Sequence, residues 1–366
     1  MLNMRHNLTL FSRATALTNG LWASEGWTLP PRLEKPDVIE NAALKRDDFI
    51  WAGLVHLGRN MLCDTPLESF ANTPPELLSY ISEADHLRCD DKVWDDITQR
   101  MADVGQNMAI INIGEGIRLE SHPELAVEGS WSVEKMRTKL ARLRALGIEP
   151  IPKLNFSTAH DLWLKEYARM VSTAEYYRVC AEVIREVVEI FDQPRFFHLG
   201  YDEETASHQK NYKYCVVRQG ELWWHDFLFF IKTVEALGVR PWVWADYIWM
   251  HKPEFLKRAP RSVLMSNWYY GKNFWEKPYV YPLTYIELEK AGFDQIPCSS
   301  NWDFPESFPQ TVEFCSHFID PSRLKGFLMA PWKATVEPFR DKIEEAIDIV
   351  GVEISKAAAV DYDTSR

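Results

Sequence analysis

"PRFFHLGYDEE" (residues 194–204) decides how the chain folds. An apolar run of strand type, Phe196 to Leu199, stops at Gly200 and then presents Asp202, Glu203 and Glu204 side by side. Three adjacent carboxylates repel one another, so a strand end that carries them needs a use for them. On the N-terminal side stands the long helical segment "STAEYYRVCAEVIREVVEIF"; on the other, after a second helical stretch, comes another apolar run, "RPWVWAD" (240–246). Helix, strand, helix, strand is the local pattern.

Working outward, the same alternation covers most of the chain. The runs are "WAGLVHLG" (51–58), "MAIINIGEG" (108–116), "IEPIPKLNF" (148–156), the opening stretch, "RPWVWAD", "SVLMSNW" (262–268), "QIPCSSNWD" (295–303) and "GFLMAPW" (326–332), eight by this reading. Segments with helical apolar spacing separate them. In "SVEKMRTKLARLRALG", Val133, Met136, Leu140, Leu143 and Leu146 fall on one face, and Gly147 is placed to close the helix. Nearly continuous apolar strands imply parallel strands buried on both sides, and eight such units predict an α/β fold, a closed (β/α)8 TIM barrel in a single domain. An open doubly wound sheet would carry a glycine-rich phosphate turn after its first strand, and the sequence has none. The expected organisation is an N-terminal arm (1–47), the barrel (48–350) and a C-terminal tail (351–366).

The composition of the 366 residues, 46% hydrophobic and 26% charged, is that of a globular protein with ample core material. A net charge of -12 without any basic run argues against a nucleic-acid partner, and no apolar stretch reaches the roughly 20 residues of a membrane span. Six scattered cysteines without CxxC spacing suggest neither a zinc cage nor a disulfide framework. Together with an opening segment unlike a signal peptide, they make cytoplasmic placement the expectation; an exported protein with its leader removed is the alternative. No metal or other cofactor is expected, and a homo-oligomer is left open.

In such a barrel the active site lies at the C-terminal ends of the strands. The residues there are His56, Glu115, Asn155, Asp202 to Glu204, Asp246, Asn267, Trp268, Trp302, Asp303 and Trp332, with Trp244 and His198 just before two of these ends. Taken singly, each has an ordinary reading: an Asp-Glu pair as a helix cap, Trp as packing, Asn as a loop tie, His198 as a core histidine. Taken together, paired carboxylates ringed by tryptophans and amides suit the cleavage of a glycosidic bond. One carboxyl protonates the leaving oxygen, its neighbour manages the developing positive charge, and the flat rings stack on the sugar.

These residues resemble a known family. "FHLGYDE" is similar to the H-x-G-G-D-E signature of the family 20 glycoside hydrolases, the β-N-acetylhexosaminidases. "GIRLESHPELAVEGSW" (116–131) resembles that family's segment after the second strand, and "ALGIEPIPKLNFSTAH" (145–160) resembles its G-I-x-V-I-P-E-I-D-M-P-G-H. "WVWAD", "SNWYY" (266–270) and "APW" (330–332) stand where the family has later Trp and acidic strand ends. The resemblance implies a carbohydrate substrate of N-acetylhexosamine type, Glu203 as general acid/base, and Asp202 as the residue that orients a 2-acetamido nucleophile. It further implies Arg118 on the ring hydroxyls and Trp244, Trp268 and Trp332 as pocket walls. The chain departs from the pattern at Tyr201, which replaces the second glycine, at Lys153 and Asn155, and at the seventh strand end, where Asn301, Trp302 and Asp303 stand instead of a tyrosine.

For general acid work Glu203 is expected to have a raised pKa. If no acetamido group takes part, Asp246, Asp303, Glu115 and Glu204 are the other candidate carboxylates. Two rival readings are a sugar-binding barrel that has lost hydrolysis, and a metal-dependent hydrolase using His198, Asp202 and His208.

Overall fold

A computed structural model describes residues 22–39, 41–70 and 73–359. Eight parallel strands, β1 (Ile50–His56), β2 (Met108–Asn112), β3 (Glu149–Lys153), β4 (Phe196–His198), β5 (Arg240–Trp244), β6 (Leu264–Ser266), β7 (Cys298–Ser299) and β8 (Gly326–Met329), form one sheet in the order β6-β5-β4-β3-β2-β1-β8-β7. The isolated bridges Met265–Gln295 and Trp268–Cys298 bring the two edges together. The result is the expected (β/α)8 barrel, each predicted run supplying one strand.

Helices follow the strands in turn: α1 (Asp91–Asp103), α2 (Val133–Ala145), α3 (Ala174–Ile190), α4 (Glu221–Ala236), α5 (Ile248–Arg258), α6 (Val280–Lys290), α7 (Ser307–Phe318) and α8 (Arg340–Ala359). Their limits are written in the local sequence. Ser132 caps α2 by accepting from the Lys135 amide, and Gly147, at φ +79°, ends it while the Ile148 amide reaches back to the Leu143 carbonyl. The positive φ is what a glycine supplies there without strain. On α3, Tyr176, Val179, Cys180, Val183, Ile184 and Val187 form one buried stripe.

Strand periodicity sorts side chains into two layers. Ala52, Leu54, Met108, Ile110, Ile151 and Trp242 fill the barrel interior, while Val55, Ala109, Ile111, Phe197 and Val243 face the helices. Each fully buried aliphatic side chain stabilises the fold by roughly 1.5–3 kcal/mol. The top interior layer is different. Register places His56, Asn112, Lys153 and His198 side by side on successive strands, and the Lys153 Nζ donates to Asn112 Oδ1 at 2.8 Å. A polar floor thus lies under the mouth.

The first 21 residues of the predicted arm lie outside the described residues. Of the described part of this segment, Trp22 and Trp27 are buried, and the Trp27 indole donates to the Trp249 carbonyl at 3.0 Å. At the other end α8 runs on to Ala359, and residues 360–366 lie outside the described part. Among the described residues no helix is long and apolar enough to cross a membrane.

Candidate active site

The chain turns sharply as it leaves β4. Gly200, Tyr201 and Glu203 have φ values of +70°, +78° and +57°. For the two non-glycine residues such backbone costs about 1–3 kcal/mol each, so the surroundings must hold it. Asn155, from the end of β3, is the main support: its Oδ1 accepts from the Tyr201 amide at 3.1 Å, and its Nδ2 donates to Asp202 Oδ1 at 2.7 Å. A Cβ at Gly200 would overlap the Asn155 side chain, so only glycine fits. Asp246, just after β5, supports the other strained residue: its Oδ2 accepts from the Glu203 amide at 2.9 Å.

This turn separates the three carboxylates. Glu204 is taken by Arg218, whose Nη2 stands 2.6 Å from its Oε2. Asp202 and Glu203 instead share one imidazole. His160 Nε2 stands 3.4 Å from Asp202 Oδ2 and 3.3 Å from Glu203 Oε2. Its Nδ1 lies 3.0 Å from the Met61 carbonyl, which can only accept, so Nδ1 carries a proton. Burial would lower the pKa of His160, but Asp202 and then Glu203 outweigh it and push it up to about 10. The ring is therefore an imidazolium at neutral pH.

The carboxylates respond in kind. Burial would raise Glu203, but His208, 3.4 Å from its Oε1, and His160 hold it below the usual carboxylate range. Of the two histidines His160 carries the charge, since burial takes His208 below its ordinary value. Asp202 is also held low: burial opposes, and His160 prevails. The expectation of a raised Glu203 pKa is thus overturned. It is Asp246 that is pushed well above the carboxylate range, by burial and then by Asp202 and Glu203, and its Oδ1 is buried without a hydrogen-bond partner among the described residues.

Two cavities meet at Glu203. The narrow one, with about 20 Å³ of free space, is lined by Arg59, His160, Asp202, Glu203 and the rings of Trp268, Tyr270, Trp302 and Trp332; Met61, Leu62 and Phe70 close it. That space holds about one water. The broad one, about 290 Å³, also touches Glu203, Trp268 and Tyr270 and extends over Asp246, Trp249, Tyr281 and Asp303.

The remaining predicted residues take other places. Arg118 is exposed and lines a separate surface hollow with Glu83, Asp85 and Lys165, because the bridge from Ile117 to Trp131 turns the chain after β2 away from the mouth. Tyr201 touches the broad cleft, but its ring packs against Trp223 and Phe227 with the Arg218 guanidinium 4.8 Å from its centre. Trp244 lies inside the barrel, 4.4 Å from the His198 ring and 5.8 Å from Trp332, and lines neither cavity. His198 is a core histidine whose Nδ1 accepts from the Gly200 amide, and burial keeps it neutral. Asn267 accepts from the Trp249 indole and donates to the Tyr281 carbonyl, so it ties loops together. Glu115 accepts from the amides of Arg59 and Asn60 and latches that loop.

Three mouth residues escaped the sequence reading: Arg59, His160 and Tyr270. Arg59 stands three residues beyond His56, in the loop that continues β1, and donates to the Trp332 carbonyl at 2.9 Å. His160 ends the stretch that resembles the third-strand motif, so its signal was present. Tyr270, two residues past Trp268, accepts from the Trp332 indole at 3.0 Å.

The metal-binding trio considered from sequence does not assemble, since His198 is inside the barrel. His160, Asp202 and Glu203 do present ligand atoms within 4.8 Å of one another. The Met61 carbonyl holds the Nδ1 proton and leaves Nε2 as the ligand atom, from which a metal would have to displace a proton.

No protein-family model and no curated protein matches the sequence. Among solved structures the chain is similar to dispersin B, at 13% identity over 72% of this chain and 95% of that one, with a TM-score of 0.52. It is similar to a mutant Streptomyces plicatus beta-hexosaminidase in complex with its product GlcNAc, at 12% identity over 87% and 70% of the two chains and a TM-score of 0.53. A third is the GH20 beta-N-acetylhexosaminidase of Streptomyces coelicolor A3(2), at 11% identity over 82% and 64%, with a TM-score of 0.52. The chain spans about half, 51%, of the Flavobacterium johnsoniae chitobiase it also resembles. At such identities the likeness is one of fold: the barrel is of the kind that carries the family 20 glycoside hydrolases.

Proposed function

We propose that the protein is a glycoside hydrolase of hexosaminidase type, with Glu203 as general acid and base. The observation that carries this reading is the pair of carboxylates, Asp202 and Glu203, sharing the His160 imidazolium in an aromatic pocket at the barrel mouth. Their facing oxygens lie within 4.8 Å of each other. An inverting pair needs about 6.5–9.5 Å between carboxyl groups to admit a water, so the short separation favours retention or assistance by the substrate.

In the first step the oxygen of a 2-acetamido group attacks C1 and the bond to the leaving oxygen breaks. Glu203 gives that oxygen its proton, and His160 Nε2, 3.3 Å away, steadies the carboxylate that is left. This step requires the bound sugar to raise Glu203 out of its ionised resting state. Asp202, fixed by Asn155, takes the acetamido N–H and steadies the charge that develops on the group. In the second step Glu203, now a carboxylate, removes a proton from the water that opens the intermediate. Arg59, Trp268 and Trp332 are the groups within reach of the sugar, the arginine through its guanidinium and the indoles by stacking.

The test is hydrolysis of aryl glycosides with and without a 2-acetamido group, by wild type and by Glu203→Gln. Cleavage confined to acetamido sugars and lost in the variant is the expected result. Cleavage of plain sugars alone would move the nucleophile to Asp246 or Asp303, because Glu115 and Glu204 are both committed elsewhere. One observation favours a barrel that binds sugar without cutting it: the resting ionisation of Glu203. Binding by calorimetry with no hydrolysis across the panel would establish that reading.

A further inference from the structure

A group that protonates a leaving oxygen must stand between the sugar and what leaves, and Glu203 is the carboxylate that lines both cavities. Arg59, His160 and Asp202 line the narrow one, which assigns the sugar there and leaves the broad cleft for the departing group. This step rests on the hydrolase reading above.

The chemistry of the cleft then narrows the leaving group. Its wall is aromatic. Trp249 meets Trp268 and Tyr281 edge to face, at 4.6 and 4.3 Å between ring centres, and is fixed by the bond from its indole to Asn267. Some polar groups on the wall are already taken: Glu204 by Arg218, His208 by Thr205, and the Tyr269 hydroxyl by the Asn273 amide. Asp246 Oδ1, next to Glu203, is buried without a hydrogen-bond partner among the described residues. A flat ring system that carries one oxygen matches a wall of rings with an unpartnered carboxyl oxygen beside Glu203.

We infer that the leaving group is a fused-ring aryl alcohol, seated against Trp249 and Tyr281 with its oxygen between Glu203 and Asp246. At about 290 Å³ the cleft is at the lower end of small-molecule sites, enough for a bicyclic group.

The experiment measures calorimetric Kd values for the phenyl and 2-naphthyl 1-thio-β-N-acetylglucosaminides, which are not cleaved, and for free 2-naphthol. The naphthyl compound is expected to bind about tenfold more tightly than the phenyl one, from the apolar area its second ring buries. Trp249→Ala is expected to erase that difference, and Tyr281→Phe to preserve it. Equal Kd values for the two thioglycosides in the wild type overturn the inference, whatever the variants do. If both thioglycosides fail to bind while 2-naphthol binds and is lost in Trp249→Ala, the cleft assignment stands and the N-acetylhexosamine reading falls. If none of the three binds, the inference is overturned.

Discussion

On the β1–β4 side of the mouth the working groups are held by hydrogen bonds and ion pairs. Glu115 latches the Arg59 loop, Asn155 grips Asp202 and the Tyr201 amide, and His160 is anchored on the Met61 carbonyl while it faces two carboxylates. On the β5–β8 side the groups are held by ring against ring. Trp268 stacks on Tyr270 at 5.1 Å, and Trp249 lies edge-on to Trp268. The difference reflects what each side must do. Charge that develops in a transition state is stabilised only by groups already aimed at it, whereas an apolar surface needs only the right shape.

Removing the proton donor is the hardest test of the charged side. Glu203→Gln is expected to lower hydrolysis of an aryl N-acetylglucosaminide by about 10²–10⁴-fold with the fold intact by circular dichroism. A variant that keeps a tenth of wild-type activity would end the assignment.

Next in size is Asn155→Ala, which strips the Asp202 carboxylate and the strained turn of a shared partner. A loss of about 1–3 kcal/mol in urea unfolding is expected, together with a fall in kcat; an unchanged midpoint would mean that the turn is held elsewhere.

His160→Gln sharpens the comparison through pH. The raised pKa of His160 contributes stability that is fully present below its ordinary value of 6.5 and is lost as pH rises through about 10. The melting temperature of the variant is therefore expected to lie furthest below wild type near pH 6 and to meet it above pH 10. A constant gap would show that the ring is merely packed.

The smallest effect falls on the aromatic side. Asp246 is raised, so its burial costs stability above the ordinary carboxylate pKa and nothing well below it. Asp246→Asn, which keeps an acceptor for the Glu203 amide, is expected to melt slightly higher than wild type at pH 8 and the same at pH 3. A lower melting point at pH 8 would show that the ionised form is needed for the fold.

The barrel was legible because parallel strands buried on both sides leave continuous apolar runs, and every run overlaps one strand and carries on a few residues past its end. Asp202, Glu203, Asn155, Trp268 and Trp332 were legible for the same reason: strand ends converge. Arg118 was not, since a loop's direction depends on a contact such as the bridge from Ile117 to Trp131, which spacing does not encode. The protonation of the pair was equally hidden. It depends on His160 and His208, which approach from two different loops and reverse the shift that burial alone would give. Tyr201 shows a third limit: a residue may replace glycine at positive φ when an amide partner and an aromatic bed outside the barrel hold it there.

The barrel closes between β6 and β7 through two isolated bridges, while β1 and β2 share five consecutive register pairs. A seam with so few ladder bonds has a lower free energy of local opening than the β1–β2 ladder, and backbone hydrogen exchange is the quantity that reads it. The amides of Met265, Ile296 and Cys298, which bond across the seam, are expected to exchange earlier than those of β1 and β2. Trp268 and Tyr270 leave from one lip of this seam and Trp302 from the other, around a space that holds one water. Opening at the seam would widen that space, and a ligand held there is expected to slow the exchange of these amides first.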